Sequence, residues 1–232
     1  MVYISTGCRC IDSNLGGGIG EDSVTLIYGE PETGKSTLAM QCAVNCALQN
    51  LKTLFVDCDN TFSAKRLSQL AGGKFDQVAD QIILVRPKDF KEQAAVVDRI
   101  QDYTVKGFGL IVVDTLTGLY GAKVAETTGK AFSVNRELNR QLAILAQSVK
   151  IRKIPVVVTS QVRAVFDNPN VTSAPVATRV LKFWADNIVA LKPTDYPQII
   201  KATIEKTREN ADEVTCYVQI GEAGISDTQF HQ

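Results

Sequence analysis

Eight residues constrain this chain more than any others: Gly29-Glu30-Pro31-Glu32-Thr33-Gly34-Lys35-Ser36, with Thr37 behind them. They satisfy the pattern G-x-x-x-x-G-K-[ST] at every fixed position. The flanks agree, because Val24-Thr25-Leu26-Ile27-Tyr28 is a short apolar run suited to a buried strand and Leu38 onward reads as a helix. Strand, tight loop and helix in that order make a cradle for a chain of phosphates. Several backbone N–H donors must converge on the anion, so the loop curves sharply and glycine stands where a Cβ would collide. The following helix adds the positive end of its dipole. In such a cradle Lys35 reaches the β- and γ-phosphates, and the Ser36 hydroxyl ligates the Mg2+ that bridges them.

The remaining composition narrows the class. A chain of 232 residues, 45% of them hydrophobic, suffices for one α/β domain over residues 1–232 with a sizeable core. Lys plus Arg and Asp plus Glu number 25 each, so no global field draws the protein to nucleic acid or to a membrane. Any nucleic-acid contact must come from a local patch. No run approaches the ~18 apolar residues of a membrane span, and Cys8, Arg9 and Asp12 stand where a signal peptide would be apolar. The expected location is cytoplasmic. In that reducing compartment the six cysteines are expected as free thiols. Cys8 and Cys10 lack C-x-x-C spacing, and Cys42 and Cys46 read as buried small hydrophobes rather than metal ligands. His231, the single histidine, lies too near the end to suggest histidine catalysis.

Along the chain, Ile4-Ser5-Thr6-Gly7 precedes the triplet Gly16-Gly17-Gly18, a turn that lets backbone approach backbone. Thr53 to Asp57 reads as a second strand ending in Cys58-Asp59-Asn60-Thr61-Phe62, and carboxylates just past a parallel strand project into the ligand crevice. Ser63 to Ala71 is helical, and Gly72-Gly73 stops it. Ile82 to Val85 is a third strand, and Asp89 is an N-cap for a helix through Tyr103. Gly109-Leu110-Ile111-Val112-Val113-Asp114 has the form of a Walker B strand, apolar and buried, with its carboxylate emerging beside the metal. Thr115 to Lys130 shows no clear periodicity and reads as a mobile loop.

Beyond it, Val134, Leu138, Leu142, Leu145 and Val149 form the stripe of an amphipathic helix. Pro155 to Thr159 is a buried strand running into Ser160-Gln161, whose amide either senses a γ-phosphate or caps the turn. Val162 to Ala177 reads as a second loop. Asn187 to Leu191, Ile199 to Lys206 and Val214 to Ile220 are strand-like.

This order of elements resembles the RecA-like recombinases, and most closely the archaeal RadB recombinase paralogues. The likeness rests on the opening Ile4-Ser5-Thr6-Gly7, the phosphate loop, Val56 to Phe62, Asp89-Phe90-Lys91-Glu92-Gln93, the Walker B strand, Ser160-Gln161-Val162 and the C-terminal strands. It implies a mostly parallel, twisted sheet flanked by helices, with antiparallel C-terminal strands, ATP and Mg2+ as cofactors, and an ATPase core without an N-terminal helical domain. Residue by residue, it implies that Lys35 and Ser36 hold phosphate and metal, that Asp114 supports the metal, and that Gln161 links the γ-phosphate to a DNA-binding loop. Arg66 resembles the arginine that packs on the adenine ring. Asp59 stands where the family commonly has the glutamate that activates water. Aspartate is one methylene shorter, and proton abstraction needs an approach of ~2.6–3.2 Å, so slow turnover is expected.

Lys123 and Lys130 in the first loop, and Arg163 with Phe166 in the second, match the family's DNA-contacting positions, as phosphate contacts and a stacking face. Lys206-Thr207-Arg208 has the K-x-R form that some RecA-like ring ATPases present to a neighbour's γ-phosphate, or is a solvated strand end. The implied function is an ATP-binding, weakly hydrolysing recombinase paralogue that binds single- or double-stranded DNA and assists a main archaeal recombinase, with homo-oligomers open to it. The competing expectations are a KaiC-like ring ATPase and a nucleotide-gated adaptor with little turnover.

Overall fold

The computed structural model describes residues 3–127, 131–164, 173–175, 177–208 and 212–228. It opens with β1 (Tyr3–Ile4), α1 (Arg9–Asn14) and β2 (Ile19–Gly20), where β1 and β2 pair antiparallel through Ile4 and Ile19. The glycine triplet lies in the turn between α1 and β2. At Gly18, with φ of 122°, an added Cβ would fall 2.6 Å from the Ile4 carbonyl oxygen, so the expected close backbone approach is present.

The strand β3 (Val24–Gly29) and helix α2 (Lys35–Leu48) flank the phosphate loop, followed by β4 (Lys52–Asp57), α3 (Ala64–Ala71), α4 (Phe75–Ala79) and β5 (Ile82–Val85). The boundaries of α3 follow from capping. The Ser63 side chain accepts from the Arg66 N–H, and Gly72 closes the helix in the left-handed region at φ 54°. Asp89 accepts from the Glu92 N–H at the start of α5 (Phe90–Asp98), and the predicted helix through Tyr103 divides at Arg99 into α5 and α6 (Ile100–Tyr103).

The Walker B stretch is β6 (Phe108–Asp114). Residues 115–126, expected as a loop, instead form α7 (Leu116–Glu126). Leu116, Tyr120 and Val124, spaced by four, make the apolar stripe, with Leu116 and Tyr120 buried and Val124 packed on the core. Gly118, Gly121 and the threonines lower intrinsic helix propensity, and tertiary burial overrides them. The amphipathic helix is α8 (Ala131–Arg152), and all five expected stripe residues are buried.

The expected second loop is also partly regular. Strand β7 (Val156–Ala164) continues past Gln161, β8 (Ser173–Pro175) pairs antiparallel with it, and α9 (Thr178–Trp184) follows. Pro175 is tolerated because β8 lies beside the main order of the sheet. The chain ends in β9 (Asn187–Pro193), β10 (Ile199–Lys206), β11 (Val214–Gly221) and β12 (Gly224–Asp227).

The large sheet has the order β12-β11-β10-β9-β3-β7-β6-β4-β5. From β9 to β5 the strands are parallel, while β10, β11 and β12 are antiparallel. The expected mixed sheet is therefore present, with the phosphate-loop strand near its centre. Successive residues alternate between two cores: Ile27, Phe55, Leu110 and Val112 face α1 to α4, while Leu26, Leu54, Ile111 and Val113 face α5 to α9. Helices on both faces explain why these strands read as continuous apolar runs.

One expectation about cysteine is overturned. Cys8, Cys42, Cys46 and Cys58 are buried free thiols, but Cys10 and Cys216 form a disulfide. Helix α1 packs beside β11, and that meeting joins positions 206 residues apart, which spacing cannot show.

Candidate functional site

The site grows from the C-terminal end of β3. Gly29 pairs in register with Gln161 of β7 and Leu191 of β9. A Cβ on Gly29 would come 2.2 Å from the Leu191 carbonyl oxygen. From half-buried Glu30, Pro31 and Glu32 carry the chain over an exposed tip. Thr33 turns back, donating its hydroxyl to the Glu30 carbonyl at 2.8 Å, and Gly34 caps α2 at φ 86°. Lys35 is buried and donates from Nζ to the Glu30 carbonyl at 2.6 Å; burial depresses its pKa. Glu32, Gly34, Lys35, Ser36 and Thr37 line a cavity of about 230 Å³ at the N-terminus of α2.

Asp114 ends β6 opposite this loop, and the peptide after it, Asp114–Thr115, is cis. Its carboxylate, 1% exposed, accepts from Ser36 Oγ at 3.2 Å and Thr159 Oγ1 at 2.5 Å. Burial pushes the Asp114 carboxyl above the usual range against those bonds. The neighbouring Asp57 is structural: it is buried, pairs with Arg86 at 3.0 Å and accepts the Thr61 and Phe62 N–H groups.

Asp59 lies half-buried across the crevice. Desolvation raises its pKa, opposed by hydrogen bonds from the Thr115 side chain and from Gln161, whose Nε2 lies 3.5 Å from Oδ2. Thr117 and Ser160 join α7 to β7 through their hydroxyls at 3.1 Å. The structure thus brings Lys35, Ser36, Asp114, Asp59 and Gln161 to one end of the sheet.

Arg66 reaches the site indirectly. Its guanidinium donates to the Gly221 and Glu222 carbonyls at 2.9 and 2.8 Å, holding the turn between β11 and β12. Ile220 and Ile225 of that hairpin stand beside Gly34, where a Cβ would meet them at 2.9 and 2.8 Å. Gln41 of α2 clamps the hairpin as well, exchanging both amide bonds with the Ile225 backbone at 2.8 and 2.9 Å.

Lys123, exposed on α7, pairs with Glu126 at 3.0 Å. The backbone of Arg163 pairs with Ala174; its side chain, Lys130 and Phe166 lie outside the described residues. Lys206 and Arg208 do not face their own phosphate loop. Lys206 donates to the Ala185 carbonyl at 2.6 Å, and Arg208 pairs with Asp22 at 3.1 Å and Asp186 at 3.4 Å. Those partners precede β3 and β9, roughly 17 Å of strand rise from Gly29.

Sequence reasoning missed Thr115, Gly118, Thr159 and the hairpin residues Ile220 and Ile225. Thr159 stood in an apolar strand and Ile220 in a distant one; neither carries a motif.

The donor set fits a magnesium–triphosphate pair. A buried ammonium rests on a carbonyl, and a hydroxyl faces a desolvated carboxylate. Both groups are desolvated, and a metal–phosphate pair would bring each a counter-charge. No helix among the described residues is long and apolar enough to cross a membrane.

Comparison with known proteins agrees with this geometry. A family model described as Rad51 matches residues 1–228. The DNA repair and recombination protein RadB of Thermococcus kodakarensis is 33% identical over 229 residues, covering 97% of this chain and 100% of the relative. RadB of Thermococcus onnurineus is 34% identical over 227 residues, covering 97% of each. A crystal structure of the RadB recombinase matches with a TM-score of 0.83 at 32% identity, covering 98% of this chain and 100% of that one.

Proposed function

The chain belongs to the Rad51 family, among its RadB relatives, and from that membership we propose an ATP-binding recombinase paralogue that cleaves ATP slowly. In this reading it binds DNA and assists a main recombinase in recombination and repair in the cytoplasm. One observation carries the nucleotide part: Lys35, Ser36 and Asp114 converge at the end of the central strand, where the Lys35 ammonium rests on a backbone carbonyl and the Asp114 carboxylate on hydroxyls, with no salt bridge to either among the described residues.

Lys35 would leave the Glu30 carbonyl for phosphate oxygens, and Ser36 with Asp114 would hold Mg2+. The metal, when bound, neutralises charge on the phosphates. Thr159 keeps the Asp114 carboxylate oriented through its hydroxyl. Asp59 would take the proton of the attacking water, oriented by Thr115 and Gln161. Its raised pKa favours proton acceptance, whereas its short side chain limits reach; geometry takes precedence, so turnover is slow. Arg66 holds the hairpin through two carbonyls, and in this reading the face of its engaged guanidinium packs on the adenine ring.

Lys123, exposed on α7, would leave Glu126 to meet a DNA backbone, and in this reading Lys130, Arg163 and Phe166 share the role that the family resemblance implies for them. A neutral chain with few loop cations implies modest, salt-sensitive binding. Lys206 and Arg208 are engaged within their own chain, so action in trans within a homo-oligomer requires their release. ATP binding, ATPase rate and DNA binding, measured together for wild type and Lys35→Ala, test the proposal. We expect Lys35→Ala to lose ATP binding at least tenfold, with DNA affinity falling as salt rises. Unchanged ATP affinity in Lys35→Ala would sink the nucleotide assignment, and salt-independent DNA binding would sink the DNA surface.

A further inference from the structure

Gly118 occupies a position where its own conformation does not require glycine. It lies inside α7, is not among the residues with positive φ, and a helix interior disfavours glycine relative to alanine. What requires glycine is Asp59. An ideal Cβ on Gly118 would fall 1.8 Å from Asp59 Oδ1 and 2.9 Å from its Cγ. The same carboxylate accepts from Gln161 Nε2 on β7 at 3.5 Å, with the Thr115 side chain, just before α7, beside it. Three elements thus meet on one half-buried side chain.

We infer that Gly118 is a positioning residue: the space left by its missing Cβ is the seat of the Asp59 carboxylate, and α7 thereby sets where that carboxylate stands relative to the phosphate loop. The inference rests on reading Asp59 as the group that takes the proton from water. The obstructed atoms are the far end of a flexible side chain, so Gly118→Ala is accommodated by rotating Asp59 and leaving Thr115 and Gln161. Backbone need not move. A displacement of about 1 Å in a reacting group can cost up to 100-fold in rate, while ATP affinity depends on Lys35, Ser36 and the loop.

The test compares wild type, Gly118→Ala, Asp59→Ala and the double variant, using a fluorescent ATP analogue for affinity, phosphate release for kcat and KM, and thermal melting. Gly118→Ala is expected to keep its ATP affinity and KM within twofold, and to lose at least tenfold in kcat. In the Asp59→Ala background the same change should cost no further rate. Melting reads the contact without turnover: alanine at 118 should raise the midpoint more when Asp59 is absent than when it is present. That cycle holds even if Gly118→Ala alone folds poorly. Equal kcat in wild type and Gly118→Ala, or additive melting shifts, overturns the seat. Wild type that binds ATP but releases no more phosphate than Asp59→Ala overturns both the seat and the role of Asp59, leaving nucleotide binding intact. Wild type that binds no ATP overturns the functional reading itself.

Discussion

Burial holds the carboxyls of Asp59 and Asp114 above the usual range, and proton linkage sets the direction of the effect on stability. A carboxyl with a folded pKa above its unfolded value of about 3.9 binds more protons in the folded state. Below about pH 3 both states are protonated and the group is neutral to stability. As pH rises from there through the folded pKa, folding is increasingly penalised. These two groups therefore make the nucleotide-free protein less stable toward neutral pH. Asp59→Asn should melt higher than wild type at pH 7 and level with it at about pH 3. A variant no more stable at pH 7 would remove desolvation as the cause. The same desolvation that makes these carboxylates costly suits the site to a metal and a triphosphate.

Among the elements, the hairpin of β11 and β12 connects the chain's end to its nucleotide loop. Gln41 clamps Ile225 through its amide, and this fit leaves no room for a Cβ at Gly7 or Gly224. Gln41→Leu removes the partner of the buried Ile225 N–H, while Cys8 still faces the Ile225 carbonyl. We expect a loss of about 1–3 kcal/mol, read from the denaturant midpoint, with weaker ATP binding because Ile220 lines the cavity. Elements with a local signal were legible. The Ser63 and Asp89 caps, the stripe of α8 and the apolar run of β6 each needed only short-range chemistry. Helix α7 was not, because its glycines and threonines argue against a helix and only burial of Leu116 and Tyr120 makes one. Helix α9, β8 and β12 escaped for a related reason: short segments gain their stability from neighbours supplied by distant sequence.

For the whole molecule, the Cys10–Cys216 bridge ties α1 to the hairpin strand across a separation of 206 residues. Backbone N–H groups of Arg9 and Cys10 bind the Asp227 carboxylate at 3.0 and 2.9 Å beside it. Cross-linking so long a loop restricts the unfolded chain, so reduction should cost about 2–4 kcal/mol and lower the melting midpoint in dithiothreitol. Cys10→Ser with Cys216→Ser should melt at that lower midpoint with or without reductant. The four buried thiols should stay unreactive until unfolding, since burial lifts Cys8 to about 12 and Cys46 to about 11.

The phosphate loop, the Walker B carboxylate, the parallel core strands and the family are all legible along the chain, because each is encoded by contiguous residues with local stereochemistry. That Gly118 makes room for Asp59, that Thr159 holds Asp114, that Arg66 braces a hairpin and that Lys206 and Arg208 turn back onto their own chain emerges only on folding. Those are contacts between segments far apart in the chain. They depend on how strands are ordered in a sheet, which no single stretch of sequence contains.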